Sequence, residues 1–413
     1  MQVKNKILYT DTYFKIGNFL EYLDFSIFAL ASPMIIETIL GIKHDISKVL
    51  FGNILFAITY FMRPIGGLYF GSISDKKGRG IVLINTVFLM GICSLGLAFL
   101  PGFEKMGYIS LILLLIFRGI QCFVLGAEFN NGLVYIYETS DKSHLSVRIG
   151  FFIGSGTLGW FIGTTMIYLF SSYNYMFDDK DLMWRIPFLI SAILSITFFT
   201  LRNRFLSSKN TRYYQAESKP NSANKDSVIK NIHKYLAVLI FGGWNGSLFY
   251  GLFIFPVSFK ALIMGSSLDN FLSYSYMCIG FYMMCLVFTG IIIDKIRNKI
   301  LLRNLSAILV PPSVLIIFYM INNNSYIPLI AFSCALITAQ IMNLTSGIIP
   351  GLFQVDKRAK LSSFFYNLGI SVFGATTPFI CTYLYSQFSQ LAPFIYITFL
   401  SVIGAFFLTR IEG

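Results

Sequence analysis

Five ionisable residues lie inside stretches otherwise too apolar to hold a charge: Glu21, Asp24, Arg63, Arg118 and Glu128. Such a group in hydrocarbon costs roughly 2.5–3.5 kcal/mol on insertion scales, so it faces an interior cavity and a partner. Glu21 and Asp24 are spaced i, i+3 and share one helix face. At ~1.5 Å per residue, Asp24 and Arg63 lie ~10 Å and ~14 Å from the end of the bundle that carries the N-terminus, and they are expected to pair. Arg118 falls near mid-depth, and Glu128 near the end of its span. A buried carboxyl beside an arginine can gain and lose a proton as a cavity opens to either side. The alternative is a static set of pairs that fixes helix packing, and spacing alone leaves both readings open.

A second charged set sits between apolar runs. The turn Gly71-Ser72-Ile73-Ser74-Asp75-Lys76-Lys77-Gly78-Arg79 has glycines that permit close approach and a tight bend. Asp75 with Lys76 and Arg79 has the makings of a latch that breaks when two parts of the molecule move apart. Further along, Gly290-Ile291-Ile292-Ile293-Asp294-Lys295-Ile296-Arg297 keeps an aspartate and a base but lacks the Gly-Arg pair, and Arg358 is a further basic gate candidate. Amides and phenols within apolar runs are candidates to line a solute cavity: Asn18, Tyr22, Gln121, Trp244, Asn245, Gln340, Asn343, Tyr366 and Asn367. Trp244 could stack on a quaternary ammonium. Interhelical hydrogen bonding and packing explain each of these residues equally well.

The elements that must position these residues are membrane helices. Of 413 residues, 55% are hydrophobic and 12% charged, with a mean hydropathy of +0.69; soluble domains are roughly 25% charged. Runs of ~20 apolar residues are long enough to span a bilayer. They fall at 17–39, 50–72, 81–100, 108–132, 148–170 and 185–203, then at 235–259, 270–293, 302–321, 326–350, 361–386 and 391–409. Between the two sets of six is a polar, basic stretch rich in Ser and Asn, read as a flexible linker. The expected organisation is a first half over 1–203, a cytoplasmic linker over 204–234 and a second half over 235–413.

Lys and Arg concentrate in the tail, the turns at 73–80, 139–148, 294–303 and 357–360, the linker region 202–234 and Arg410. The opposite side carries only Lys43, Lys48, Lys105, Lys180, Arg185 and Lys260. That asymmetry puts both termini in the cytoplasm, and it accounts for the net charge of +13 without a nucleic-acid partner. Cys93, Cys122, Cys278, Cys285, Cys334 and Cys381 all fall in apolar runs, without metal spacing, and read as small apolar fillers. No nucleophile–base or metal constellation suggests an enzyme. Pro311-Pro312 should kink or break its helix.

Several of these motifs together resemble the major facilitator superfamily. Gly71–Gly80, GSISDKKGRG, is similar to that family's loop signature. The surrounding residues are similar to the metabolite:proton symporters, the group that contains the proline/betaine and the citrate or ketoglutarate carriers. Gly17-Asn18-Phe19-Leu20-Glu21-Tyr22-Leu23-Asp24-Phe25 is close to G-N-x-x-E-W-x-D-F, with Tyr22 in place of Trp. Arg63-Pro64-Ile65-Gly66-Gly67 matches R-P-x-G-G, and Arg118-Gly119-Ile120-Gln121-Cys122 with Gly126-Ala127-Glu128 is close to R-x-x-Q-G and G-G-E. Arg358, Tyr366-Asn367, Gly374 and Pro378 echo R…Y-N…G…P. Pro350-Gly351-Leu352-Phe353-Gln354 departs from the E-L-F-P common before that arginine.

The resemblance implies an all-α integral membrane protein with the major facilitator fold, twelve transmembrane helices in two six-helix halves. It implies a secondary active transporter in a bacterial-type inner membrane, multi-pass and functional as a monomer. No cofactor is expected, with the proton gradient as energy source, and the partners are protons, the lipid bilayer and a small solute. Proton-coupled import of a polar, zwitterionic or carboxylate metabolite is the leading expectation. Gly150, Gly159 and Gly163 share the spacing of a drug/proton antiporter motif, but Thr164 stands where that motif has proline, which favours import and a packing role. The alternatives are a carrier of a larger ligand such as a siderophore, in either direction, and a transport-inactive sensor or interaction protein. The expected division is coupling and main gate in the first half, with much of the solute's identity set by the second.

Overall fold

A computed structural model describes residues 2–42, 45–172, 181–207, 231–256, 268–322 and 326–411. Most of the predicted linker, 208–230, lies outside the described residues. Among those described there is no β-strand. The first half contains α1 (Gln2–Leu40), α2 (Asp45–Tyr60, resuming as Met62–Lys77), α3 (Arg79–Ala98), α4 (Tyr108–Thr139), α5 (Leu145–Ser172) and α6 (Leu182–Ser207). The second contains α7 (Ile232–Phe249), α8 (Leu268–Lys295), α9 (Lys299–Asn322), α10 (Ile327–Ile348), α11 (Arg358–Gly369, resuming as Thr377–Gln387) and α12 (Ala392–Arg410).

Eleven of these twelve have described stretches long and apolar enough to cross a membrane. The other, α3, has 20 residues, or about 30 Å of helix, the thickness of a bilayer core. The chain is therefore the predicted twelve-helix, all-α membrane protein. Large apolar side chains are exposed where lipid would lie, among them Ile193 and Leu194 on α6, Ile308, Leu309 and Ile316 on α9, and Phe399 and Phe406 on α12.

Proline shapes the helices that line the contact between halves. Pro64 has no N–H to give the carbonyl of Tyr60, four residues back. The helix breaks at Phe61, and the hydroxyl of Ser371, in the π-helical turn Ile370–Gly374 that joins the two parts of α11, donates to that carbonyl instead, at 3.0 Å. Pro256 likewise leaves the carbonyl of Leu252 without its partner. There α7 loosens into a π-helical turn, Tyr250–Ile254, and the Tyr274 hydroxyl of α8 donates to Leu252 at 3.0 Å. Both freed acceptors are buried and both are satisfied, as buried backbone groups require. By contrast, α9 runs unbroken through Pro311 and Pro312, so the expected break is absent.

Two seams join the halves, α2 against α11 and α5 against α8. Both depend on glycine for close approach. A first side-chain carbon on Gly71 would fall 2.7 Å from the Cα of Lys360, and one on Gly290 would fall 2.7 Å from the carbonyl oxygen of Ser146. Gly150 serves the second seam in the same way, 2.5 Å from the Leu286 carbonyl. Gly159 and Gly163 bring α5 onto α1, at 2.1 Å from the Phe19 carbonyl and 1.9 Å from the Ser26 hydroxyl. All three α5 glycines thus have packing work in this fold.

Candidate functional site

The five intramembrane charges form two groups, one sealed inside the first half and one that reaches the contact between the halves. Asp24 is sealed: the Ser94 hydroxyl of α3, Gln121 Nε2 of α4 at 2.7 Å and the Ser191 hydroxyl of α6 at 3.2 Å all donate to it. Arg118 Nη1 lies 3.7 Å from its carboxylate and donates to Gln121 Oε1 at 2.7 Å. The guanidinium also sits over the Phe28 ring, 3.9 Å from its centroid. Every side chain in this set is 1% exposed or less. Four helices converge on one carboxylate, and Gln121 belongs to this cluster rather than standing apart from it.

The expected Asp24–Arg63 pair is not formed. Similar depth does not bring two residues together when they lie on different faces of their helices. Glu21, three residues before Asp24, is turned towards α4 and α2 instead, where Glu128 and Arg63 are its electrostatic neighbours. It is 2% exposed, and neither of its oxygens receives a hydrogen bond. Glu128 accepts from the Thr86 hydroxyl at 3.1 Å. Gly17 leaves room for it, since a first side-chain carbon there would fall 1.7 Å from Glu128 Oε1. Gly17, Glu21, Thr86, Glu128 and Ser195 line a crevice between α1, α3, α4 and α6 that is too narrow to hold a water molecule. Nor does Glu128 end its helix: α4 continues to Thr139, about 16 Å further on.

Arg63 occupies the contact between the halves. It donates to the Tyr60 hydroxyl, and Tyr60 is hydrogen-bonded to Tyr250 of α7 across the interface at 2.7 Å. Tyr22 of α1, Tyr250 and Tyr366 of α11 are its further electrostatic neighbours. Tyr366 stacks on Phe129 of α4, ring centroids 5.7 Å apart.

At the end of the bundle that carries the basic turns, Asp75 accepts from the backbone N–H groups of Ala359 and Lys360, at 3.0 and 2.9 Å. These are the first turn of α11, so a first-half carboxylate caps a second-half helix at its positive end. Arg79 Nη1 pairs with Asp75 at 2.5 Å and its Nη2 with Glu138 at 3.0 Å, while Arg358 Nη1 reaches Glu138 at 3.0 Å. Asp294 repeats the arrangement in reverse, accepting from the N–H groups of Ser146 and Val147 at the start of α5, at 3.0 and 2.9 Å. Gly78 has φ 97°, a conformation that favours glycine, and it turns the chain from α2 into α3. Lys76 is exposed and does not enter the latch. Glu138 went unpredicted because the predicted span ended at 132. It is one of few acids among many bases at that end, and that imbalance was the available signal.

The cavity candidates divide. Asn18 donates to the Phe152 carbonyl at 2.9 Å, Asn367 to the Gly126 carbonyl at 2.9 Å, and Asn245 to the Thr345 hydroxyl at 2.9 Å. Asn367 thereby bridges α11 to α4 across the halves. Trp244 is not placed to stack on a solute: its indole N–H donates to Ser401 of α12 at 3.0 Å, and Gly404 packs against its ring. Gln340 donates to Ser306 of α9 at 2.6 Å and Asn343 to the Leu286 carbonyl of α8 at 2.7 Å. Both hold the second half together. Tyr22 and Tyr366 are the candidates that gather near Arg63.

Comparison with known proteins agrees with this architecture. A family model described as Major Facilitator Superfamily matches residues 15–363. A Staphylococcus aureus (strain COL) protein provisionally named a proline/betaine transporter is 29% identical over 95% of this chain and 86% of its own length. The ectoine/proline transporter ProP of Corynebacterium glutamicum is 27% identical over 94% of this chain and 81% of its own. Escherichia coli K12 supplies a third relative, the inner membrane metabolite transport protein YhjE, 24% identical over 93% and 89%. Among solved structures, the proton:xylose symporter XylE superposes with a TM-score of 0.74 at 16% identity, covering 98% of this chain and 95% of that one. The human organic anion transporter MFSD10 does so with 0.68 at 13%, covering 96% and 98%. Twelve helices in two seamed halves and a family match over residues 15–363 make this chain a membrane transporter rather than an enzyme, a member of the major facilitator superfamily.

Proposed function

We propose that the chain is a proton-coupled symporter that carries a small zwitterionic or carboxylate metabolite into the cytoplasm by alternating access. The observation that carries this reading is the unequal treatment of two acids one helical turn apart. Asp24 is saturated by donors from three other helices, which suits a fixed structural charge. Glu21 is nearly as buried but receives no donor, and it feels the charge of Arg63, which sits where the halves meet. A carboxylate buried without donors costs several kcal/mol, and protonation removes that cost. A group so placed is suited to take a proton when the contact opens to one side and release it when it opens to the other.

The substrate class draws support from the names of relatives, which mention proline, betaine and ectoine, all compact zwitterions. With both termini in the cytoplasm, as the basic turns favour, the Asp75 and Asp294 latches close the cytoplasmic side. Rocking of one half against the other then exposes the central contact alternately to each face.

Uptake of L-proline and glycine betaine into proteoliposomes, with and without an imposed pH gradient, tests the proposal. The wild type should accumulate substrate only with the gradient. Glu21→Gln should exchange substrate at equilibrium yet fail to accumulate it. Asp24→Asn should lower the amount of folded protein instead. Uptake indifferent to pH in the wild type would sink the coupling claim.

A further inference from the structure

Arg63 has a feature that neither packing nor a proton relay uses. Its side chain is 1% exposed. One terminal nitrogen, Nη1, is engaged with Tyr60, but Nε and Nη2 have no hydrogen-bond partner. Those two nitrogens form one edge of the guanidinium, and their N–H groups point in parallel at the spacing of the two oxygens of a carboxylate. A buried arginine with an unfilled edge bears the full desolvation cost of its unmade hydrogen bonds. Burial of that kind persists where a ligand completes the pairing for part of a working cycle.

The position suits such a ligand. Around the guanidinium stand Tyr22 from α1, Tyr60 from α2, Tyr250 from α7 and Tyr366 from α11, so both halves contribute. Phenol rings are apolar walls with polar edges, and their faces attract cations. Arg118 has the same two nitrogens without hydrogen-bond partners, but its charge is answered by Asp24, 3.7 Å away, and it lies over Phe28 within the first half rather than at the contact between the halves.

The geometry points to Arg63 as the anchor for a substrate carboxylate, held bidentate on Nε and Nη2 within a tyrosine-walled site shared by the two halves. This deepens the transporter reading and rests on it. It also narrows the solute: one carboxylate is required. Glu21 interacts electrostatically with the same arginine without pairing with it, so an incoming carboxylate competes with it for the charge of the cation. That competition ties solute binding to the state of the acid.

Ligand-induced thermal stabilisation of the purified, full-length protein tests the anchor with matched pairs. L-proline is compared with L-prolinamide, glycine betaine with choline, and propionate with propionamide. In the wild type the carboxylate member of each binding pair should bind about 30-fold more tightly than its neutral or cationic counterpart, the order expected for a charge-assisted bidentate contact. Arg63→Gln should lose that preference, and Arg63→Lys, which keeps the charge without the fork, should retain part of it. The ligand-free melting temperature of each variant reports folding separately, and the discrimination within pairs by the wild type needs no variant at all.

Equal binding within every pair, or an undiminished preference in a folded Arg63→Gln, overturns the anchor and leaves the transporter reading standing. Binding of propionate but of neither zwitterion, lost in Arg63→Gln, supports the anchor and removes the zwitterion from the proposed function. No response to any carboxylate in the panel overturns both.

Discussion

The two latches at the basic end are built alike where backbone is concerned and differently where side chains are. Asp75 and Asp294 each follow a glycine by four residues, and each caps the first turn of a helix in the opposite half. The bond lengths are the same, 3.0 and 2.9 Å. The glycine lets the helices approach, and the aspartate then meets two N–H groups that have no partner within their own helix. Around Asp75 stand Arg79, Glu138 and Arg358, linked in a chain from one half to the other. Around Asp294 the neighbouring bases, Lys295 and Arg297, are exposed. The essential device is thus the carboxylate on the helix end, and the arginine–glutamate chain is reinforcement. Loss of the Gly-Arg pair from the second-half motif removes the reinforcement and keeps the device.

Removal of each aspartate separates device from reinforcement. Asp75→Asn loses the charge at the α11 terminus and the Arg79 pair together, and the halves should part at that seam more easily. A cysteine placed at Ser363, buried beside the α2–α11 seam, reports such opening through its rate of labelling by a water-soluble maleimide. The six native cysteines are buried and add little background. Asp75→Asn should raise the labelling rate by tenfold or more, since charge-assisted hydrogen bonds contribute roughly 1.5–3 kcal/mol. Asp294→Asn, which has no side-chain pair to lose, should raise it by about threefold to fivefold. Equal effects would mean that the arginine chain contributes nothing.

A sharper comparison comes from Glu138, which holds both Arg79 and Arg358. Glu138→Gln should raise labelling by about threefold, because it weakens two largely buried ion pairs but leaves the helix cap at Asp75 in place. Arg358→Gln should add little on top of it, because both changes break one link. Additive effects would show that the two residues act separately.

Much of this molecule could be read in its sequence, and the largest failures come from packing between helices. Hydropathy found the spanning segments, and short motifs singled out Asp75, Arg79 and Asp294, although these lie in the terminal turns of helices rather than in the turns between them. Both rest on local order along the chain. Whether Asp24 meets Arg63 or Arg118 depends on how α1 is rotated against α2 and α4, which no local spacing encodes. Trp244 illustrates the same limit. Its position in an apolar run was evident, but only the packed second half shows that the indole faces Ser401 and Gly404. Glu138 was missed for a different reason. Helix α4 runs past the apolar stretch to Thr139, carrying a charge beyond the point where hydropathy ends the span. The proline pair in α9 shows that a local rule can yield to the lipid environment and neighbouring helices.

The smallest expected effect probes whether reinforcement can be restored by one residue. Aligned on their glycines and aspartates, Arg79 corresponds to Asn298. Asn298 has its own task, since its Oδ1 accepts from the Leu301 N–H at 2.9 Å near the start of α9. Asn298→Arg gives up that cap, worth about 0.5–2 kcal/mol to a helix. It adds a cation beside Asp294, but the chain needs a carboxylate in the place of Glu138, and the acid that follows α10, Asp356, is exposed. The substitution should therefore change labelling at the Ser363 position by less than about twofold. A decrease of several-fold would mean that an arginine beside the capping aspartate is sufficient by itself, and that Glu138 serves the α4–α11 contact rather than the latch.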